Sequence, residues 1–452
     1  MRKYLVTLFP ILLILFAAIS IRVLFFTTTQ SPYITPDGYG YLELGKEMIL
    51  RPSIKSIITP YRTPLYPIIM ASYIPGPQEI TKDTFTPAFF AGLRRILELQ
   101  TTLGVISVIC IYLILMSLGA GVVLSTIGSL YIALNPQIFL WERTTETEGL
   151  SISIFIMMLY TTVMLMKKVR WIPLVVFCLL SIVGFLLRPA NILIPLIILP
   201  FIMWNERKNT QTLVALIICL VVYISVPGGY VFFNILNHHY RGIQQVSDLD
   251  IFGRILEFNM PIDATNTDPY FYRITQIAKK KHMTQPFKLL DTIDPSIYMD
   301  RSRMAQLGIF NRKVISDHPL LYVQHALSYV PNIIHDYTRI PEFARTDPSD
   351  RATFLARINA VFGATKYLTW LVFFLLPFAG FLWIKKRTIQ SEFIIILSLY
   401  VLSQIAMSVC IVYYEEYGRL SSIFIPATVI SIILGIRSVW KHWPTKKPVS
   451  LP

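Results

Sequence analysis

The chain has 452 residues, of which 54% are hydrophobic and 15% charged, with a formal net charge of +15. Soluble cores of ordinary size cannot hide that much apolar surface, which excludes a soluble globular protein and indicates an integral membrane protein. The four cysteines, Cys110, Cys178, Cys219 and Cys410, all fall in apolar runs, so neither a disulfide framework nor a paired zinc-ligand spacing is present.

The first apolar run, Tyr4 to Phe26, is long enough to span a bilayer and longer than a signal-peptide core; cleavage near Ala17-Ala18 is the alternative. Further apolar windows follow at roughly 96–117, 120–140, 149–166, 171–187, 190–203, 211–228, 367–384, 391–412 and 420–437, about ten spans in all. The windows at 171–187 and 190–203 are short and meet at Arg188-Pro189, where a hairpin that stops short of crossing is the other reading. Basic residues at Arg2-Lys3, Lys167-Lys168, Arg207-Lys208, Lys385-Lys386-Arg387 and the tail alternate with these spans and place both termini in the cytoplasm. The opposite face then carries a first loop of about 27–95, a turn at 141–148, a large segment at about 229–366 and a turn at 413–419.

The large segment mixes polar stretches with amphipathic runs such as Arg301 to Ser316 and Pro319 to Tyr337, and Asp294-Pro295, Asp317-His318-Pro319 and Asp347-Pro348 punctuate it as helix starts. The expectation is an all-α polytopic membrane protein. It divides into a membrane module over 1–228, a mostly helical extracytoplasmic domain over 229–366 and a second membrane module over 367–452.

Two acidic positions stand out because charge at a bilayer boundary is a functional signal. Asp37 follows the first span, and Glu148 opens a later one in Thr144-Thr145-Glu146-Thr147-Glu148, with Glu146 beside it as a substitute. Each has a structural alternative. Pro36-Asp37 before Tyr41, Leu44 and Met48 suits a helix N-cap, and Thr145-x-x-Glu148 suits a capping box. Arg62, Arg188 and Arg419 come from three distant stretches assigned to the same face, where a guanidinium fork suits phosphate oxygens. Snorkelling is the alternative for Arg188, and a local ion pair with Glu415 or Glu416 for Arg419. Lys279, Lys280, Lys281, Arg339 and Arg345 add to an unusual outer basicity that suits an anionic ligand or lipid headgroups, and the compartment argues against nucleic acid.

Asp37-Gly38-Tyr39-Gly40-Tyr41-Leu42-Glu43-Leu44-Gly45 resembles the Asp-Glu-x-x-Tyr-x-x-x-Ala signature of GT-C glycosyltransferases of the protein O-mannosyltransferase and aminoarabinose transferase type. Tyr61-Arg62-Thr63-Pro64-Leu65-Tyr66-Pro67 resembles their first-loop Pro-Pro-Leu-Tyr element, Asn135-Pro136 with Thr147-Glu148 their Pro-then-Thr-Glu spacing, and Leu187-Arg188-Pro189 their Thr-Arg-Pro. Tyr417-Gly418-Arg419 with Pro426 resembles a late Arg-Tyr-x-x-Pro. The matches keep family order over roughly 1–230 and 367–437. Gly38 stands where the family has a second acid, Thr63 replaces the first proline, and Leu420 stands where an aromatic is common.

The resemblance implies a GT-C helical bundle that moves a sugar from a polyprenyl-phosphate donor to a glycan, lipid or protein acceptor on the extracytoplasmic face of a bacterial inner membrane. Asp37 would be the general base of an inverting transfer, and Glu148 would hold the acceptor or a divalent ion. Arg62, Arg188 and Arg419 would bind the donor phosphate, and Tyr41, Tyr61, Tyr66 and Tyr417 would contact substrate, although interfacial aromatics are common in any membrane protein. No cofactor is required by these residues beyond that open question of a divalent ion, and His238-His239, His282, His318 and His325 show no ligand spacing. A transporter or flippase of lipid-linked sugars and a polymerase or ligase using lipid-pyrophosphate glycans are the competing functions.

Overall fold

The computed structural model describes residues 2–28, 34–76, 85–263, 268–294, 301–336, 350–413 and 417–442. Tyr337, Arg339, Arg345, Asp347, Glu415 and Glu416, which the sequence reading invoked, lie outside them. The elements among the described residues are α-helices and short 3-10 turns, and the protein is an all-α, multi-pass membrane protein.

Among the described residues, seven helices are long and apolar enough to cross a bilayer: Leu8–Thr28, Pro87–Ser117, Glu148–Lys167, Thr210–His238, Arg351–Lys385, Ile389–Ile411 and Tyr417–Trp440. The pair Val122–Leu134 and Pro136–Arg143 makes an eighth span if taken together, but it is bent by 52°. Pro136 has no N–H to continue the first helix, and Asn135 turns its side chain to accept the Gln137 N–H, so the chain restarts there. Trp171–Leu187 and Pro189–Asn205 are shorter apolar helices broken at Arg188-Pro189. Among the described residues, the expected count of about ten therefore resolves into seven or eight full-length spans and two short helices.

Contacts sort the loops into two ends. Arg387 hydrogen-bonds Asn205, Gln390 donates to the Leu118 carbonyl, and Arg437 donates to the Gly119 carbonyl at 3.2 Å, so the basic connections gather at one end of the bundle. At the opposite end the first loop folds into two packed helices, Pro36–Leu50 and Leu65–Tyr73. They touch at Gly45, where a Cβ would lie 1.9 Å from the Pro67 carbonyl oxygen. No side chain larger than hydrogen fits that approach.

The helix Thr210–His238 runs on through position 228 and delivers the chain to a group of helices at that same end: Val246–Glu257, Pro269–Lys281, Pro286–Ile293, Arg301–Asp317, Pro319–Ser328 and Val330–His335. Phe252, Phe271, Leu289, Leu307 and Phe310 form their apolar interior. The run expected from Pro319 to Tyr337 is two helices, because Pro331 near the start of the second cannot extend the first. This group is seated on the Ile389–Ile411 helix, where Tyr322 donates to the Cys410 carbonyl and Arg254 to the Ser408 carbonyl.

Candidate active site

Thr35, not Asp37, caps the first-loop helix: its side chain accepts the Gly38 N–H at 2.9 Å, and Pro36 occupies the first helical position. The Asp37 carboxylate is thereby left to face inward, 2.6 Å from Arg62 and 3.2 Å from Arg419. The capping-box reading of Glu148 also fails. The Thr145 hydroxyl oxygen accepts the Thr35 N–H at 3.1 Å, and the helix from Glu148 begins after Thr147 without a side-chain cap. Glu148 instead pairs with Arg188 at 2.6 Å and Arg419 at 3.0 Å.

Arg419 also lies 3.5 Å from Glu146, so a single guanidinium bridges three carboxylates drawn from two loops. Asp37 (29% exposed), Arg419 (24%), Arg62 (13%) and Arg188 (12%) keep some accessible surface, whereas Glu148 has 1% and Glu146 4%. The arginines and Asp37 thus line the open side of the cluster, and the two glutamates lie behind them.

Local packing explains why each group is held. Gly38 abuts the acidic loop so closely that a Cβ would sit 1.9 Å from Thr145 Oγ1, which leaves no room here for the second acid of the resembled signature. The loop itself is fixed from below by Gln100, which donates to the Glu142 and Thr144 carbonyls at 3.2 and 3.0 Å. Glu142 forms a two-point ion pair with Arg22 of the first span at 2.6 and 2.7 Å, both side chains fully enclosed. Trp141 donates to Ser422 Oγ at 3.0 Å, tying this loop to the Arg419 segment. The Arg62 loop is held by Tyr230, whose hydroxyl reaches the Thr59 and Arg62 carbonyls at 2.7 and 3.1 Å.

The four tyrosines separate. Tyr61 is widely exposed, and Arg62 lies 5.8 Å from its ring centre and 5.1 Å from that of Tyr41. Tyr41 is buried against Tyr66 edge to face at 5.0 Å, and Tyr66 is fully enclosed with its hydroxyl on Gln100. Tyr417 is also fully enclosed, with the buried Arg254 guanidinium 4.8 Å from its ring centre. Of the four expected substrate contacts, Tyr61 alone presents a large surface, and Tyr66 and Tyr417 are packed inside the fold.

Electrostatically the carboxylates diverge. Burial pushes the Asp37 carboxyl up, but Arg62 and Arg419 outweigh it and hold the group below the usual range. Burial pushes Glu146 up, Arg419 opposes, and the charges of Glu148 and Asp37 reinforce the rise, leaving it at about 8. Among the described residues no set of three His, Cys, Asp or Glu side chains is grouped to hold a metal ion; His238 is engaged with the Ile58 carbonyl at 3.0 Å.

Sequence reasoning missed Gln100, Arg254, Lys366 and the Arg22–Glu142 pair. Arg22 carried a readable signal, since an arginine within an apolar span demands a partner. Lys366, buried and donating to Ser421 Oγ and the Asp336 carbonyl, steadies the Tyr417–Ser421 helix that bears Arg419, and nothing in its local sequence announces that role.

No family model matches the sequence, and no curated protein matches it. Among solved structures, the chain is similar to an oligosaccharyltransferase of Archaeoglobus fulgidus, tethered through a disulfide bond to an acceptor peptide containing the NVT sequon. The two share 12% identity with a TM-score of 0.49, over 96% of this chain and 49% of that one. This chain spans about half the length of that protein.

Proposed function

We propose that the protein is a GT-C glycosyltransferase that moves a sugar from a polyprenyl-phosphate carrier to an acceptor hydroxyl on the extracytoplasmic face of a bacterial inner membrane. The observation that carries this reading is the convergence of Asp37, Glu146 and Glu148 with Arg62, Arg188 and Arg419 at one end of the bundle, beside the only large helical group outside the spans among the described residues. Five separate stretches of chain supply these six side chains. The motifs that resemble the family are the stretches brought together.

In this reading the donor phosphate engages Arg62, Arg188 and Arg419, whose forks match its oxygens. Two of those cations at present pair with Asp37, so phosphate binding, which draws Arg419 away and shares Arg62, weakens the hold on the carboxylate and raises its basicity. Asp37 then accepts the proton of the acceptor hydroxyl as that oxygen bonds to the anomeric carbon. The bond from the anomeric carbon to the phosphate oxygen breaks, its electron pair stays with the phosphate, and the guanidinium groups neutralise the growing charge. Attack opposite the leaving phosphate inverts the anomeric centre. Tyr61 offers an exposed ring at the rim for the sugar or the carrier chain. The modules over 1–228 and 367–452 would carry the donor chemistry, and the segment over 229–366 would face the acceptor.

The test is incubation of purified protein with polyprenyl-phosphate sugars of several kinds, with Asp37→Asn as control. Transfer that disappears in the variant supports the assignment. Turnover of none of these donors, or full activity in the variant, removes it.

A further inference from the structure

The three carboxylates around Arg419 are not equivalent. Asp37 has a second cation in Arg62 at 2.6 Å, and Glu148 has one in Arg188 at 2.6 Å. Glu146 pairs with Arg419 at 3.5 Å and, among the described residues, forms no other ion pair. It is also buried, with the Thr35 hydroxyl as its hydrogen-bond partner. An anion that draws Arg419 away therefore leaves Asp37 and Glu148 each beside a second guanidinium, Arg62 or Arg188, even if that group also reaches the anion, and leaves Glu146 with none.

We propose that an anionic phosphodiester binds at Arg419 only together with a proton on Glu146, so that the site takes up its ligand and the proton as one neutral unit. This rests on the donor reading above for the identity of the ligand, and on the geometry of the ion pairs for the coupling. Of the groups that face Glu146, the Thr35 hydroxyl and Arg419 favour its charged form, and the charges of Asp37 and Glu148 favour the proton, so loss of Arg419 to an anion leaves Thr35 alone on the charged side. Asp37 and Tyr41 approach from the first-loop helix, Tyr66 from the helix Leu65–Tyr73, Glu148 from its own loop, and Arg419 is the one cation in contact. Arg62 and Arg188 pair with the other two carboxylates. A bound phosphate adds a negative charge beside this set, which a second unpaired buried carboxylate would strongly oppose. Glu146 already tends to hold its proton up to a pH of about 8, for burial and for its two acidic neighbours.

By linkage, ligand affinity is then independent of pH while Glu146 is protonated in the free protein, and it falls as pH rises past that point. The probe is farnesyl methyl phosphate, a phosphodiester whose single charge does not titrate in this range. Its affinity for detergent-solubilised full-length protein is expected to be flat from about pH 6 to about pH 8 and to weaken about tenfold per further unit. Glu146→Gln, which mimics the protonated acid, is expected to bind with similar affinity and no slope. Calorimetry of the wild type in two buffers of different ionisation enthalpy, near pH 9, is expected to show about one proton taken up per ligand.

A wild type without slope or uptake, or a variant that keeps the slope, overturns the coupling. If the variant does not fold, the buffer comparison on the wild type decides alone. Slope and uptake without turnover of any sugar donor would leave the coupling intact and remove glycosyl transfer. Turnover without slope would do the reverse, and a wild type that binds the probe at no pH overturns both.

Discussion

Arg419 Nη1 lies 3.2 Å from Asp37 Oδ2 across 382 positions of sequence. The contact makes the proposed base and a proposed phosphate ligand rivals in the resting site, because a carboxylate held between Arg419 and Arg62 is a weak proton acceptor. Asp37→Asn is therefore expected to act in opposite directions on two readouts. Turnover falls by about 10²–10⁴-fold, as for loss of a general base, while affinity for a polyprenyl phosphate rises because both guanidinium groups lose a competitor. Parallel turnover and binding measurements on the purified variant check this, and weaker binding would count against the phosphate role of the two arginines.

Beyond its proposed role at the donor phosphate, Arg188 is expected to serve stability. Glu148 is almost completely enclosed and 2.6 Å from it, so Arg188→Met leaves a buried carboxylate dependent on Arg419 alone. Breaking such a pair from one side is expected to destabilise by about 3–5 kcal/mol. The double variant Arg188→Met with Glu148→Gln should recover most of that loss. Denaturation midpoints in detergent for the two single variants and the double variant test it.

The same reasoning applies to Arg22 and Glu142, where neither partner touches solvent and the pairing is two-point at 2.6 and 2.7 Å. Arg22→Met is expected to cost about 3–5 kcal/mol, and Glu142→Gln a comparable amount, with the double variant closer to the wild type than either. Additive losses in the cycle would show that the two residues act separately.

Gly38→Ala places a methyl group where Thr145 Oγ1 stands, at a separation of 1.9 Å that cannot persist. The first-loop helix and the acidic loop must part, and the Thr35–Thr145 hydrogen bond goes with them. A loss of turnover of at least tenfold is expected, because a displacement of about 1 Å at a positioned site commonly costs more than that. Unchanged turnover would mean that the loop moves freely without consequence.

The raised Glu146 group sets a pH dependence of stability. Its folded value of about 8 lies above the ordinary 4.5, so its contribution is fully present below 4.5 and is lost as pH rises through about 8. Stability of the wild type relative to Glu146→Gln should fall across that window. Asp37 works with the opposite sign: its value is depressed below the ordinary 3.8, so its contribution is present above 3.8 and disappears as pH falls through the folded value. Unfolding curves of wild type and variant from about pH 4 to about pH 9 separate the two.

The sequence by itself determined the membrane class, the helical architecture and the identity of the charged residues worth placing. Each of these follows from local quantities: the length of apolar runs, the spacing of prolines, and charge where a bilayer resists it. Local reasoning could not choose between a cap and a site for Asp37 and Glu148, because capping depends on which neighbour reaches a backbone N–H first. Thr35 took the Gly38 N–H, and Thr145 was drawn away to Thr35, 110 positions distant. Only the tertiary structure decided that both carboxylates meet Arg419, that Glu146 shares that one cation, and that Tyr66 and Tyr417 are enclosed. Those outcomes depend on distances between groups brought together by packing, and electrostatic energy in a buried site is fixed by such distances rather than by order along the chain.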